Sequence, residues 1–276
     1  MIRWQSFLLT TLKKPMMSLD WLRKPPAWLT TLVSFLLLLL AWHLLVVIGD
    51  YNRFILPGPI DVLAQVRQSV LDGTLPRHGL YTIGEVVPGL LIGFLVALPL
   101  GYLLAKSPLA EKLLSPYLIA SQAIPVIAVA PLLTIWIDST YWSRVLVAVL
   151  VVFFPILINI IAGLRSVPVE LYDLMHALKA TRWQIFRKLE WPAALPVLLA
   201  GLKVGATLSV IGALVGEFVQ PNSRGLGFLL VKARYQFKTV EVFAVLVTLA
   251  VIALTMYGLV ATLEKSLLRW QRVNQK

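Results

Sequence analysis

Glu85, Lys203 and Glu217 are charged side chains set inside, or at the ends of, long apolar stretches. Burying a charge in hydrocarbon costs at least about 2.5 kcal/mol, so each needs a partner, water or a task. Glu85 and Glu217 stand near the ends of their stretches, where a solvated or snorkelling carboxylate is the simpler expectation. Lys203 stands deep in its stretch, which predicts either a water-filled pathway or an acidic partner. Gln122 and Asn159 place amides among apolar neighbours, where they either bridge helices or touch a ligand. None of these groups assembles a reaction centre. Cysteine is absent, which excludes disulfides, thiolate catalysis and Cys-ligated zinc. The histidines, His43, His78 and His176, are far apart and no H-E-x-x-H pattern occurs, so a His-built metal site is not expected. No G-x-x-x-x-G-K-S/T run exists, so the chain has no P-loop with which to hydrolyse ATP. The expectation is no catalytic residue, no metal and no cofactor.

The elements that hold these residues are membrane helices. Of 276 residues, 59% are hydrophobic and 14% charged, and the mean hydropathy is +0.83, too little polar surface to solvate a globular domain of this size. The net charge of +12 does not point to nucleic acid, because the basic residues lie mostly outside the apolar runs, as membrane insertion would place them. A span needs about 20 mainly apolar residues, and six runs qualify: 28–48, 82–105, 113–137, 145–164, 193–215 and 242–263. The third is interrupted by Pro116, Pro125 and Pro131, and the fourth contains Pro155. The first has a leucine tract from Leu36 to Leu40 and no A-x-A-like cleavage site, which predicts a retained helix rather than a signal peptide. Arg3, Lys13, Lys14, Arg23 and Lys24 precede it, placing segment 1–27 in the cytoplasm, and six crossings return the tail 265–276 to the same side. The basic residues Arg224, Lys232, Arg234 and Lys238 of the 218–240 loop conflict with that topology, since they fall on the predicted outside.

Two connections have structure of their own. Residues 49–81 carry Pro57-Gly58-Pro59 and then Ile60, Leu63, Ala64, Val66 and Val70 near helical spacing. Residues 165–192 carry Leu171, Leu174, Met175 and Leu178 in an i, i+3, i+4, i+7 stripe after Pro168, a proline suited to a first helical turn. Thr181 to Gln184 then reads T-x-x-Q, a capping box that starts a second short helix. Ile185, Phe186 and Leu189 give that helix an apolar side, while Arg182, Arg187 and Lys188 give it a basic one. Pro192 ends it or leads into the next span. The spacing predicts two short helices meeting near residues 179–181, either resting on lipid headgroups or docking a cytoplasmic partner.

The run from Asp173 to Pro192 (DLMHALKATRWQIFRKLEWP), with Ala193 to Pro196 after it, resembles the EAA loop of binding-protein-dependent ABC importer permeases. Leu56 to Pro59, Gln122 to Pro125, Ala130 to Leu133 and Gly225 to Gly227 agree with it. The resemblance covers the chain from about Ile55 onward and is to the nitrate, sulfonate and taurine permease class. Between Ala180 and Glu217 it looks most similar to permeases for riboflavin or pyrimidine vitamin precursors. The chain departs from the family at Asp173, Leu174 and Met175, where the loop usually has Glu, Ala and Ala, and at Lys179, where it has Gly. Lys179 lacks glycine's freedom, so the turn is expected to rest on the Thr181 cap.

The resemblance implies an all-α integral membrane protein of the bacterial inner membrane. It has six transmembrane helices, a cytoplasmic two-helix coupling loop at 165–192, and type I ABC importer permease architecture. It also implies partners: cytoplasmic ABC ATPase subunits, an extracytoplasmic solute-binding protein, and a second permease copy or a paralogue. Asp173, Leu174, Ala177, Leu178, Ala180, Thr181 and Trp183 become the candidates for ATPase contact, and Gln122, Asn159, Lys203 and Glu217 the candidates for the pathway. Riboflavin or a related vitamin precursor is the implied solute, with sulfonate, taurine or nitrate as the alternative. An ion-coupled secondary transporter would show paired intramembrane carboxylates and an inverted repeat, and a membrane enzyme would cluster a nucleophile, base or metal ligands. The sequence displays neither.

Overall fold

The computed structural model describes residues 26–219 and 224–270, and every regular element among them is helical. The expected segment 1–27, the tail 265–276 and the 218–240 loop therefore lie partly outside the described residues. The chain divides into two units at Pro59 and Ile60. The first contains α1 (Ala27–Ile48), a helix apolar all round whose Trp28–Ile48 stretch is long enough to cross a bilayer.

The second unit begins with α2 (Pro59–Leu71), which leads into α3 (Thr74–Lys106). Gly73 takes a left-handed turn between them, with φ of 78°. Asp72 accepts a hydrogen bond from the Thr74 N–H at 2.8 Å, and that bond holds its exposed carboxyl below the usual carboxylate range. Next come α4 (Pro108–Ala123), α5 (Val126–Trp136), α6 (Thr140–Arg165), α7 (Val169–Ala177) and α8 (Arg182–Ile185). A single π turn (Phe186–Glu190) joins α8 to α9 (Trp191–Phe218), and α10 (Leu226–Tyr235) and α11 (Thr239–Leu267) complete the order.

Among the described residues, five helical stretches are long and apolar enough to cross a membrane, and the α4–α5 pair supplies a sixth if it forms one broken span. The third run is thus two helices bent by 96°, and of its three prolines only Pro125 breaks it. Ile124 and Pro125 are both extended, because proline disfavours the α conformation in the residue before it and supplies no N–H of its own. Pro116 and Pro131 stay inside their helices.

The core is α6 held between α3 and α9. Ala148, Val152, Ile156 and Ile160 run down α6 and are buried throughout. Glycines on both flanking helices let the backbones close on them. A Cβ on Gly89 of α3 would stand 2.6 Å from Ala148 Cβ, and one on Gly212 of α9 would stand 2.6 Å from Ala148 Cα. Helices in lipid gain little from hydrophobic exclusion and associate through such close van der Waals packing. Beyond α9, Val245, Leu249 and Ile252 of α11 pack with Val210, Ala213, Leu226 and Leu229 into a second cluster.

Overpacking this seam costs about 1–3 kcal/mol per site. Gly212→Leu is therefore expected to lower the melting temperature and the monodisperse yield of the protein in detergent. Gly258→Leu on α11, where a Cβ meets nothing within 4 Å, is expected to leave both unchanged.

Candidate functional site

The segment between α6 and α9 forms the predicted two-helix element, with two differences of detail. Pro168 lies just outside α7 as its extended N-cap rather than within the first turn. The bend rests on two devices instead of one. Lys179 adopts the left-handed conformation, with φ of 52°, where glycine would be easiest. The Ala180 N–H reaches back to Met175 O at 3.0 Å, closing α7 as a glycine cap would. The capping box also forms: Gln184 N donates to Thr181 Oγ1 at 3.3 Å and Thr181 N donates to Gln184 Oε1 at 2.8 Å. Of the two expectations for Pro192, that it ends the second helix or leads into the next span, the second is met. The π turn precedes it, and the helical stretch Arg182–Phe218 passes into the span over 37 residues.

Ion pairs fasten this element to the ends of the spans. Lys106, the last residue of α3, pairs with Glu190 of the π turn at 2.6 Å, donates to Tyr172 Oη of α7 at 2.7 Å and sits over the Tyr172 ring. Arg165, the last residue of α6, grips Glu111 of α4 through two hydrogen bonds of 2.9 and 2.6 Å. Phe186 stacks on Trp183 and meets Tyr102 and Trp191 at 5.4 and 6.1 Å between centroids. Beyond that packing the element is bare: Leu174 and Leu178 are 54% and 68% exposed, and Trp183, with one face on Phe186, is still 65% exposed. Asp173, Ala177 and Thr181 are exposed beside them, and Ala180 is half-buried. The stripe read from the sequence thus faces outward, while the groups that anchor it, Lys106, Tyr172 and Glu190, carried no periodic signal.

The pathway candidates do not meet in one place. Gln122 is exposed, two residues before the break in the bent pair. Asn159 donates to Pro155 O one turn back in its own helix at 2.8 Å and packs against Gly201 of α9, so its amide is spent within α6 rather than bridging two helices. Lys203 has the acidic partner that was one of its two expected fates, Glu264 of α11 at 2.7 Å. Glu217 and Glu85 are not solvated as expected; they are 1% and 3% exposed.

Both carboxylates belong to a buried cluster at the Thr74 end of α3. Arg144 of α6 pairs with Glu85 at 3.0 Å and donates to Arg224 O at 3.0 Å. Glu217 accepts from Thr82 Oγ1 at 2.6 Å and from the Gly227 N–H. Leu226 N donates to Thr82 Oγ1 at 2.9 Å and Gly225 N to His78 Nδ1 at 3.1 Å. His78, Thr82 and Glu85 share one face of α3 at i, i+4, i+7 spacing. Arg144 lay one residue beyond the expected span 145–164; the signal for it was the unbalanced pair of carboxylates. The basic 218–240 loop finds local uses here as well. Arg224 bonds the Tyr81 hydroxyl and covers its ring, Lys232 and Arg234 close the last turn of α10, and Lys238 faces Glu241 at 3.8 Å.

Residues 89–269 match the family model described as "Binding-protein-dependent transport system inner membrane component". The riboflavin transport system permease protein RibX of Chloroflexus aurantiacus is 42% identical over 239 residues, spanning 87% of this chain and 89% of its own. The formylaminopyrimidine transport permease protein ThiX of Halalkalibacterium halodurans is 34% identical over 242 residues, spanning 86% and 94%. Among solved structures, an inward-facing conformation of the MetNI methionine ABC transporter superposes with a TM-score of 0.61 at 20% identity, over 71% of this chain and 97% of that one.

Two outcomes follow from the geometry. Arg144→Met leaves Glu85 buried without its cation, which costs about 3–5 kcal/mol. Thermal unfolding in detergent should drop accordingly, and adding Glu85→Gln should recover part of the loss. Lys179→Gly removes a left-handed penalty of roughly 1–2 kcal/mol and is expected to keep transport while raising protease resistance of the 165–192 segment, whereas Lys179→Val should lower it.

Proposed function

The chain belongs to the family of binding-protein-dependent transport system inner membrane components, a multi-pass ABC importer permease that is a transport subunit and not an enzyme, and on that premise we propose that it admits riboflavin or a related vitamin precursor to the cytoplasm. The observation that carries the mechanism is the exposed apolar row Leu174, Leu178 and Trp183 on an element capped at Thr181 and pinned at Lys106. Apolar side chains of that size, presented together beyond the ends of the spans, suit the cleft of a soluble partner. That partner is the ABC ATPase, with Asp173, Ala177, Ala180 and Thr181 filling the contact around the anchors. Because α8 passes into α9 without a break, and Lys106 holds both α7 and the π turn, motion imposed on the element reaches α3 and α9 together.

The remaining roles extend that reading. The Lys106 and Arg165 ends of the spans face the cytoplasm with both termini, and the Arg144 cluster faces the extracytoplasmic binding protein. A second copy, or a related permease, completes the pathway against α4 and α5, of which no α4 residue is buried. Gln122 is the pathway group left free to meet solute; Asn159, Lys203 and Glu217 hold the wall in shape. The riboflavin reading rests on the relatives RibX and ThiX, whose named solutes are both nitrogen heterocycles.

The test is ATP-driven uptake by the complete transporter in proteoliposomes, offered riboflavin, a formylaminopyrimidine, taurine, an alkanesulfonate or nitrate with its own binding protein. Uptake of riboflavin is expected; uptake of a sulfonate or nitrate alone overturns the solute and leaves the permease role in place. In the same assay Ala177→Asp should cut uptake and ATPase co-purification more than about tenfold by placing a charge in the contact. Unchanged values for both would remove the coupling role from α7.

A further inference from the structure

The aromatic joint around Phe186 encloses a cavity of about 430 Å³, within the roughly 300–1,000 Å³ range of ligand sites. Its floor is buried and aliphatic, formed by Ile160, Leu164 and Leu198. Its rim is exposed and differs in character: Tyr102, Arg182 and Trp183. The cavity lies beside Leu98, Pro99 and Tyr102 of α3, about one to two turns short of the end of the span, where Lys106 and Arg165 take over. Tyrosine and tryptophan with an adjacent cation are the side chains that settle at the boundary between acyl chains and headgroups. Arg182 has no ion pair among the described residues, and the carboxylate nearest the joint, Glu190, is already taken by Lys106. Arg187 and Lys188 stand exposed on the turn that follows.

We propose that this cavity binds one acyl chain of an anionic phospholipid whose phosphate pairs with Arg182. Charge complementarity and lining select that occupant. Basic pockets between membrane helices on the cytoplasmic side recognise anionic headgroups, and an aliphatic floor accepts a hydrocarbon chain at no polar cost. A polar heterocycle fits poorly, because its donors and acceptors would go unpaired in the floor, and the Tyr102 hydroxyl at the rim already donates to Glu190 at 3.3 Å. The lipid would lie where the π turn joins α9, packed on the rings that link the two-helix element to α3.

The experiment is native mass spectrometry of the complete detergent-purified transporter, titrated with phosphatidylglycerol or phosphatidylcholine of identical chains. One phosphatidylglycerol per copy of this chain is expected to survive delipidation, with phosphatidylcholine lost. Arg182→Gln should weaken retention about fivefold, the worth of one basic residue near the surface. Pro99→Phe, which fills the cavity from its exposed rim, should abolish retention, and Lys112→Gln, an exposed cation elsewhere, should leave it unchanged. Because Arg182 is exposed and has no ion pair to lose, its variant is a fair test even where Pro99→Phe fails to assemble. Equal retention of the two lipids, retention unmoved by Arg182→Gln, or displacement of the lipid by riboflavin would overturn the proposal.

Discussion

A guanidinium shut among helices has to be neutralised where it stands, and Arg144 imposes that condition on three spans at once. Its partner Glu85 comes from α3 and its carbonyl acceptor from Arg224, beyond α9. Glu217, on α9, is satisfied by Thr82 and by the N–H of Gly227. Each bond is modest beside the cost of leaving its members unpaired in an apolar surrounding. The cluster therefore acts less as a source of stability than as a rule on register: if α3 or α9 slides by one turn along α6, a charge is orphaned. The glycine contacts set the distance between the same helices, and the polar cluster sets their phase.

The two ends of the bundle solve different problems. At the Arg144 end the carboxylates Glu85 and Glu217 and the Arg144 guanidinium are buried, and the chain after α9 is tied down by main-chain bonds to His78, Thr82 and Glu217. At the Lys106 end the ion pairs are partly exposed, and Lys106 and Arg165 are 32% and 44% accessible in their side chains. Exposed pairs are individually weak. The Arg165–Glu111 pair can open without orphaning a buried charge, whereas Lys106 also answers for the buried carboxylate of Glu190.

Much of this was legible in the sequence. The apolar runs fall on helices, the third of them on a sharply bent pair, and the T-x-x-Q signal at Thr181 became a capping box with both of its bonds, because apolar periodicity and capping are largely local properties. What was hidden depended on partners distant in the chain. Lys203 does not reveal Glu264 from 61 residues away, and Glu85 could be judged solvated only while Arg144 was unassigned. The left-handed Lys179 was unreadable for another reason: lysine has no preference for that conformation, and only the flanking hydrogen bonds force it there.

The break at Ile124 and Pro125 has a consequence for the subunit in the bilayer. Backbone that leaves the helix at membrane depth is tolerable only against protein or water, and in a single copy both residues are exposed. Pro125 has no N–H to give the helix before it, although its own carbonyl accepts from Ala128 N at 2.9 Å, so the turn ending at Ile124 is one donor short. The break therefore marks the stretch of backbone most in need of cover at membrane depth.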